Sequence, residues 1–217
     1  MLTATGLCKT YNTPQGPLQV FSNLNLTLLQ GESLALMGES GCGKSTLLQL
    51  LAGLEQADAG SIALAGQQLL LMSDHQRALF RRQHLGIVFQ QLNLIPSLTA
   101  QDNLAFQARI AGKVDLDWME TLTQRLELNA LTERYPHQLS GGQQQRVAIG
   151  RALALKPALI LADEPTGSLD ERTGDAVMQL FLELVRDSGA SLLMVTHSAR
   201  LADLLDRRLT LHNGQLQ

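Results

Sequence analysis

The stretch SLALMGESGCGKST, residues 33–46, constrains the chain more than any other. Ser33–Met37 is a short apolar run of strand length. Gly38, Glu39, Ser40, Gly41, Cys42, Gly43, Lys44, Ser45 and Thr46 follow, and fit the spacing G-x-x-x-x-G-K-[ST]. Leu47, Leu48, Leu50, Leu51 and Leu54 then fall at helical spacing. A glycine-rich loop between a strand and a helix suits a phosphate. Glycines let the backbone wrap the anion with its N–H groups turned inward, and the helix start adds partial positive charge. In such a loop Lys44 reaches the β- and γ-phosphates of a nucleotide, and Ser45 offers its hydroxyl to Mg²⁺.

The rest of the chain agrees with a strand–loop–helix plan. Phe21–Leu28 alternates, with Leu24, Leu26 and Leu28 on one face, and Ser61–Ala65 alternates again. Together with Ser33–Met37 these predict a small antiparallel sheet around one buried strand. Asp74–His84 reads as a charged surface helix and Gly86–Phe89 as a short strand. Gln91–Leu139 is mostly helical in pattern, with Trp118, Leu122, Leu126 and Leu128 as its core. Ala158–Ala162 and Ser191–Thr196 are apolar strands separated by a helix whose face is Val177, Leu180, Phe181 and Leu184. Leu201, Leu204 and Leu205 mark a short helix, and Asn213-Gly214 predicts a hairpin after Leu209–His212. Buried strands alternating with amphipathic helices imply a mainly parallel sheet covered on both faces, an α/β fold.

Two further groups carry chemistry. LILADEP places Asp163 and Glu164 after the strand Ala158–Ala162, and open parallel sheets bind ligands at the carboxyl ends of their strands. Asp163 is then placed to hold Mg²⁺, and Glu164 to polarise an attacking water. Two adjacent carboxylates can equally be a solvated strand end; the phosphate loop favours the catalytic reading. His197 ends the strand SLLMVTH at the same kind of edge, where it can sense a γ-phosphate. The second glycine stretch is LSGGQQQRVAIGRAL, residues 139–153. Ser140 with Gln143 has the spacing of a capping box, and Gly141 and Gly142 leave the helix start bare. No lysine accompanies it, so by itself it holds a phosphate weakly.

Composition narrows the functions. The chain has 217 residues, 45% hydrophobic, with a net charge of −3 and no basic stripe, so no nucleic-acid partner is expected. Its two cysteines, Cys8 and Cys42, read as free thiols; Cys42 in the loop is either reactive or a small filler. The start MLTATGLCKTY lacks a basic region followed by an apolar run, so it does not read as a signal peptide. No uncharged stretch reaches the roughly 18 apolar residues of a membrane span. His75, His84, His137 and His212 show no metal-ligand spacing.

Taken together, these motifs resemble the nucleotide-binding subunit of ABC transporters over nearly the whole chain. Beyond the residues already read, the resemblance assigns Tyr11 to stacking on adenine and Gln90 to touching Mg²⁺ and the attacking water. Ser140, Gly141, Gly142 and Gln143 become the family signature, Asp170 part of a loop at a dimer interface, and His197 the switch histidine. It implies ATP and Mg²⁺ as cofactors and an ATPase reaction. The expected fold is a P-loop NTPase with a mainly parallel core, an N-terminal antiparallel β subdomain and a helical signature subdomain. One ATPase domain, 1–217, is expected, with 1–90 and 158–217 as core and about 91–157 as helical subdomain. Two copies would pack head to tail, each signature closing on the ATP held by the other's Lys44, an isologous arrangement. The chain would sit at the cytoplasmic face of the inner membrane through a separate permease. FQQLNLIPSLTAQDNL and DEPTGSLD resemble ATPases of the macrolide-exporter and lipoprotein-releasing type, whose permeases have few transmembrane helices and large periplasmic parts. A regulatory ATPase that signals through a membrane partner without transport fits the same motifs. The soluble DNA-repair and translation relatives, with coiled-coil insertions or tandem ATPase units, do not.

Overall fold

A computed structural model describes residues 2–217. In chain order the elements are β1 (Leu2–Thr13), β2 (Gly16–Leu28), β3 (Ser33–Gly38), α1 (Lys44–Leu51), β4 (Ala59–Leu64), β5 (Gln67–Gln68), α2 (Asp74–His84), β6 (Leu85–Val88), α3 (Ala100–Ala111) and α4 (Leu116–Arg125). There follow α5 (Gly141–Leu153), β7 (Leu159–Asp163), α6 (Glu171–Ser188), β8 (Ser191–Val195), α7 (Ala199–Ala202), β9 (Arg207–His212) and β10 (Gln215–Leu216). They form two compact units: Met1–Arg81 with Ser191–Gln217, and Arg82–Ala190. The helical stretch 91–157 lies inside the second.

The first unit contains two kinds of sheet. β2, β1, β4 and β5 pair in that order, all antiparallel. Their alternation puts Leu24, Leu26 and Leu28 in the core, and the residues between them outside. β3 is not part of this sheet, contrary to the sequence-based expectation. It runs parallel between β8 and β9, and β10 closes the edge as a hairpin with His212 opposite Gln215. The reason lies in its side chains: Leu34, Ala35 and Leu36 are fully buried, so β3 has no polar face to offer water. Such a strand needs cover on both faces, which parallel sheets provide.

In the second unit β6 and β7 pair in parallel, with Val88 opposite Ala162. α5 is the centre of the packing. Val147, Ala148, Ile149 and Leu153 are buried, and Gly150 lies under Leu104 and Leu126. Asn103 is fully buried because its amide is satisfied: it donates to Ile95, Leu98 and Thr99 carbonyls and accepts from the Ile95 N–H. This pins the entry to α3. Trp118 is only half-buried, and its indole N–H donates to the Leu153 carbonyl at 3.0 Å.

β6 approaches α5 so closely that position 86 has no room for a side chain. A Cβ there would stand 2.4 Å from the Ala152 carbonyl oxygen and 3.0 Å from Pro157. Gly86→Ala therefore has to push backbone away from backbone. It is expected to destabilise the chain by about 2 kcal/mol, measured by denaturant unfolding.

Candidate functional site

The phosphate loop, residues 38–46, leaves the carboxyl end of β3 and runs into α1. Gly43 caps α1 with φ 105°, a backbone that side chains avoid, and a Cβ there would meet Val20 at 2.5 Å. No side chain caps this helix and no acidic residue sits in its first turn, so its first N–H groups remain available to an anion. Lys44 does not point away from the loop. Its ammonium donates to the Gly38 carbonyl at 2.8 Å and the Glu39 carbonyl at 2.7 Å, and lies 3.9 Å from the half-buried Cys42 sulfur. The cation is thus held at the loop's mouth by the loop itself. Ser45 is exposed and Thr46 half-buried.

Parallel pairing of β8 with β3 places their carboxyl ends side by side, and His197 follows β8. Gly38, Glu39, His197, Arg208 and His212 line one open cavity of about 650 Å³. His197 itself is exposed.

Tyr11 is half-buried on β1, and the Lys9 ammonium sits 4.9 Å from its ring centre. Lys9 is 7% exposed and donates to the Glu55 carboxylate and to the Gln56 carbonyl, both at 2.8 Å. The hydrogen bond to Glu55, against the opposing effect of burial, holds the Lys9 ammonium above the usual lysine range. Nothing in the local pattern around KTY marks Lys9 as buried; Glu55 lies 46 residues away.

In the second unit the parallel register of β6 and β7 puts Gln90 and the Asp163–Glu164 pair at one sheet edge. The Gln90 amide donates a long hydrogen bond of 3.5 Å to the Glu164 carboxylate. Glu164 has φ 44°, a left-handed backbone rare for a glutamate, closed by the Gly167 N–H on its carbonyl at 3.0 Å. A glutamate in this conformation is strained, and such strain concentrates where a side chain is aimed for function.

The second glycine stretch forms the capping box that its spacing implies. The Ser140 hydroxyl accepts from the Gln143 N–H at 3.3 Å, and the Gln143 side chain accepts from the Ser140 N–H at 2.9 Å. Ser140 and Gly141 are exposed, while Gly142 is buried. Leu169 packs beside Gly141. Asp170 caps α6, accepting from the Thr173 N–H at 3.0 Å, and this bond foremost keeps its carboxyl below the usual range.

Residues 21–167 match the family model described as ABC transporter. The chain belongs to this family. It is 45% identical to the lipoprotein-releasing system ATP-binding protein LolD of Oleidesulfovibrio alaskensis, over 96% of this chain and 91% of that protein. It is 43% identical to the ABC transporter ATP-binding protein YbbA of Escherichia coli K12, over 97% of this chain and 94% of that one. Among solved structures, the ATP-binding cassette MJ0796, a dimer in a post-hydrolysis state with ADP and Pi, superposes with a TM-score of 0.90. Identity is 35%, covering all of this chain and 97% of the other. This ABC subunit is accordingly an ATP-binding α/β cassette and an ATPase. Its likeness to LolD agrees with the subgroup that the sequence motifs suggest.

Sequence reasoning about this ABC subunit missed three features: Lys9 behind Tyr11, the left-handed turn at Glu164, and Arg151 buried on α5. Only the last leaves a local trace, as one charge inside the apolar run VAIGRALA. The Lys9–Glu55 pair makes a pH prediction. Because the folded pKa of Lys9 is raised, its stabilisation is complete below the ordinary lysine value and is lost as pH rises through the folded one. The stability advantage of wild type over Lys9→Met should be constant up to about pH 10 and shrink above it, read by urea unfolding at each pH.

Proposed function

We propose that two copies of this chain close head to tail around two ATP molecules. The phosphate loop of each site comes from one copy and the signature Ser140–Gly141–Gly142–Gln143 from the other. The carrying observation is that the chain presents two helix starts suited to phosphate, and only one has a cation. α1 has Lys44 at its mouth; α5 begins exposed at Ser140 and Gly141, with no basic residue in its first turn. A helix start without a cation, its capping box already pairing the Ser140 and Gln143 N–H groups, recognises a phosphate neutralised elsewhere more readily than it captures one. The dimeric form of MJ0796 is in line with this reading.

Within each site Tyr11 stacks on adenine and residues 38–46 hold the phosphates. Glu164 polarises the attacking water, Gln90 orients it and His197 contacts the γ-phosphate. Asp170 and its loop lie at the dimer interface. Ser45, Asp163 and Gln90 supply hard oxygen donors, few in number, as suits an ion that keeps phosphate and water ligands; these residues would hold Mg²⁺. Bound there, Mg²⁺ neutralises charge on the β- and γ-phosphates. The whole chain acts as one ATPase domain, with 1–90 and 158–217 as core and 91–157 as helical subdomain.

The ATP cycle drives a separate membrane permease, of the type with few transmembrane helices and a large periplasmic part. The relatives named lipoprotein-releasing system ATP-binding protein LolD support a role as the ATP-binding part of a larger system, and the motifs FQQLNLIPSLTAQDNL and DEPTGSLD motivate the permease type. No helix among the described residues is long and apolar enough to cross a membrane. In this reading the permease holds the chain at the cytoplasmic face of the inner membrane.

Glu164→Gln should retain ATP binding while hydrolysis falls by roughly 100-fold or more, leaving an ATP-dependent dimer on size exclusion. Near wild-type turnover would remove Glu164 from the reaction. Ser140→Arg should abolish the ATP-dependent dimer while monomer affinity for ATP stays within about twofold, since it leaves residues 38–46 untouched. An equal loss of affinity in the monomer would place the signature in the same copy's site.

A further inference from the structure

Arg151 sits near the carboxyl end of α5 and is 9% exposed. Its guanidinium donates through Nη1 to the Asn93 carbonyl at 2.6 Å and through Nη2 to the Leu92 carbonyl at 2.7 Å. Consecutive carbonyls of an extended chain point to opposite sides. The left-handed backbone at Asn93, φ 49°, departs from the extended form and lets one planar fork take both. Burial disfavours the charge on Arg151, lowering its pKa, so these two bonds are what make its position tenable.

The neighbouring turn contributes a second attachment. Gly86 of β6 packs against the carbonyl of Ala152, the residue after Arg151, with no room for a Cβ between them. Gln90 therefore lies between two anchors on one turn of α5: Gly86 against Ala152 before it, and Leu92–Asn93 on Arg151 after it. The same helix begins at Ser140 and Gly141, about 16 Å away at the rise of an α-helix.

We propose that Arg151 is a positioning residue for ATP hydrolysis: it clamps the Gln90 segment to α5, so that Gln90 and the helix start at Ser140 move as one body. This rests on the reading of Gln90 as a residue that orients the attacking water.

The test is ATP hydrolysis by the full chain in Arg151→Met, Arg151→Lys, Gln90→Ala and the Gln90→Ala/Arg151→Met double variant. Arg151→Met should lower kcat by about tenfold or more with KM for ATP within about twofold, because a displacement of about 1 Å suffices for such a loss. Arg151→Lys, which restores a donor, should recover part of it. In the double variant Gln90→Ala should cost much less than it does alone, the signature of residues acting through one another. Normal kcat in a folded Arg151→Met, or costs that simply multiply, overturns the proposal while leaving the role of Gln90 intact. An unchanged kcat in Gln90→Ala alone would remove that role and the proposal with it. Should the Arg151 variants not fold, hydrogen exchange of the wild-type chain decides. Amides 91–94 and 147–153 must change protection together on adding ATP, and independent changes overturn the clamp.

Discussion

A helix start can hold an anion only while its first N–H groups stay unpaired, and a helix left bare at one end must be secured somewhere else. This constraint organises both glycine stretches of the chain. α1 forgoes a side-chain cap and is held by Leu47, Leu50 and Leu51, which are fully buried. α5 exposes Ser140 and Gly141 and anchors its remaining length through Val147, Ala148, Ile149 and Leu153. Burying one such leucine contributes about 2 kcal/mol, more than a cap contributes, so hydrophobic packing can maintain an end that local interactions would not.

The two helix starts differ in a way that matches different tasks. At α1 a lysine waits at the loop's mouth, bonded to the loop's own carbonyls, so part of the electrostatic work of binding is arranged in advance. At α5 the capping box consumes two of the backbone donors and supplies no charge. In the proposed cycle the first end captures a polyphosphate and the second recognises one. The carboxylates follow a similar division: Asp170 is spent on capping α6, whereas Glu164 sits on a strained turn beside Gln90.

Much of this was legible from residue order because it rests on local patterns. The phosphate loop, the signature capping box, the hairpin at Asn213-Gly214 and the helix Asp74–His84 all follow from spacing within about a dozen residues. The misplacement of β3 in the antiparallel sheet has a physical origin. An apolar run of five residues reports that a strand is buried, but not which strands bury it. Its partners β8 and β9 lie more than 150 residues further along the chain.

The sequence by itself thus determined the family, the phosphate chemistry and the candidate residues, because each depends on residue types at fixed short separations. Tertiary structure alone decided that Lys9 stands behind Tyr11, that Glu164 adopts a left-handed backbone, and that Arg151 grips the segment after Gln90. Lys9 is fixed there by Glu55, 46 positions away, and Arg151 by carbonyls 58 and 59 positions away, while the turn at Glu164 depends on a dihedral angle that glutamate rarely adopts. No periodicity records such pairings. They arise when buried charges must find partners among whatever the folded chain brings near.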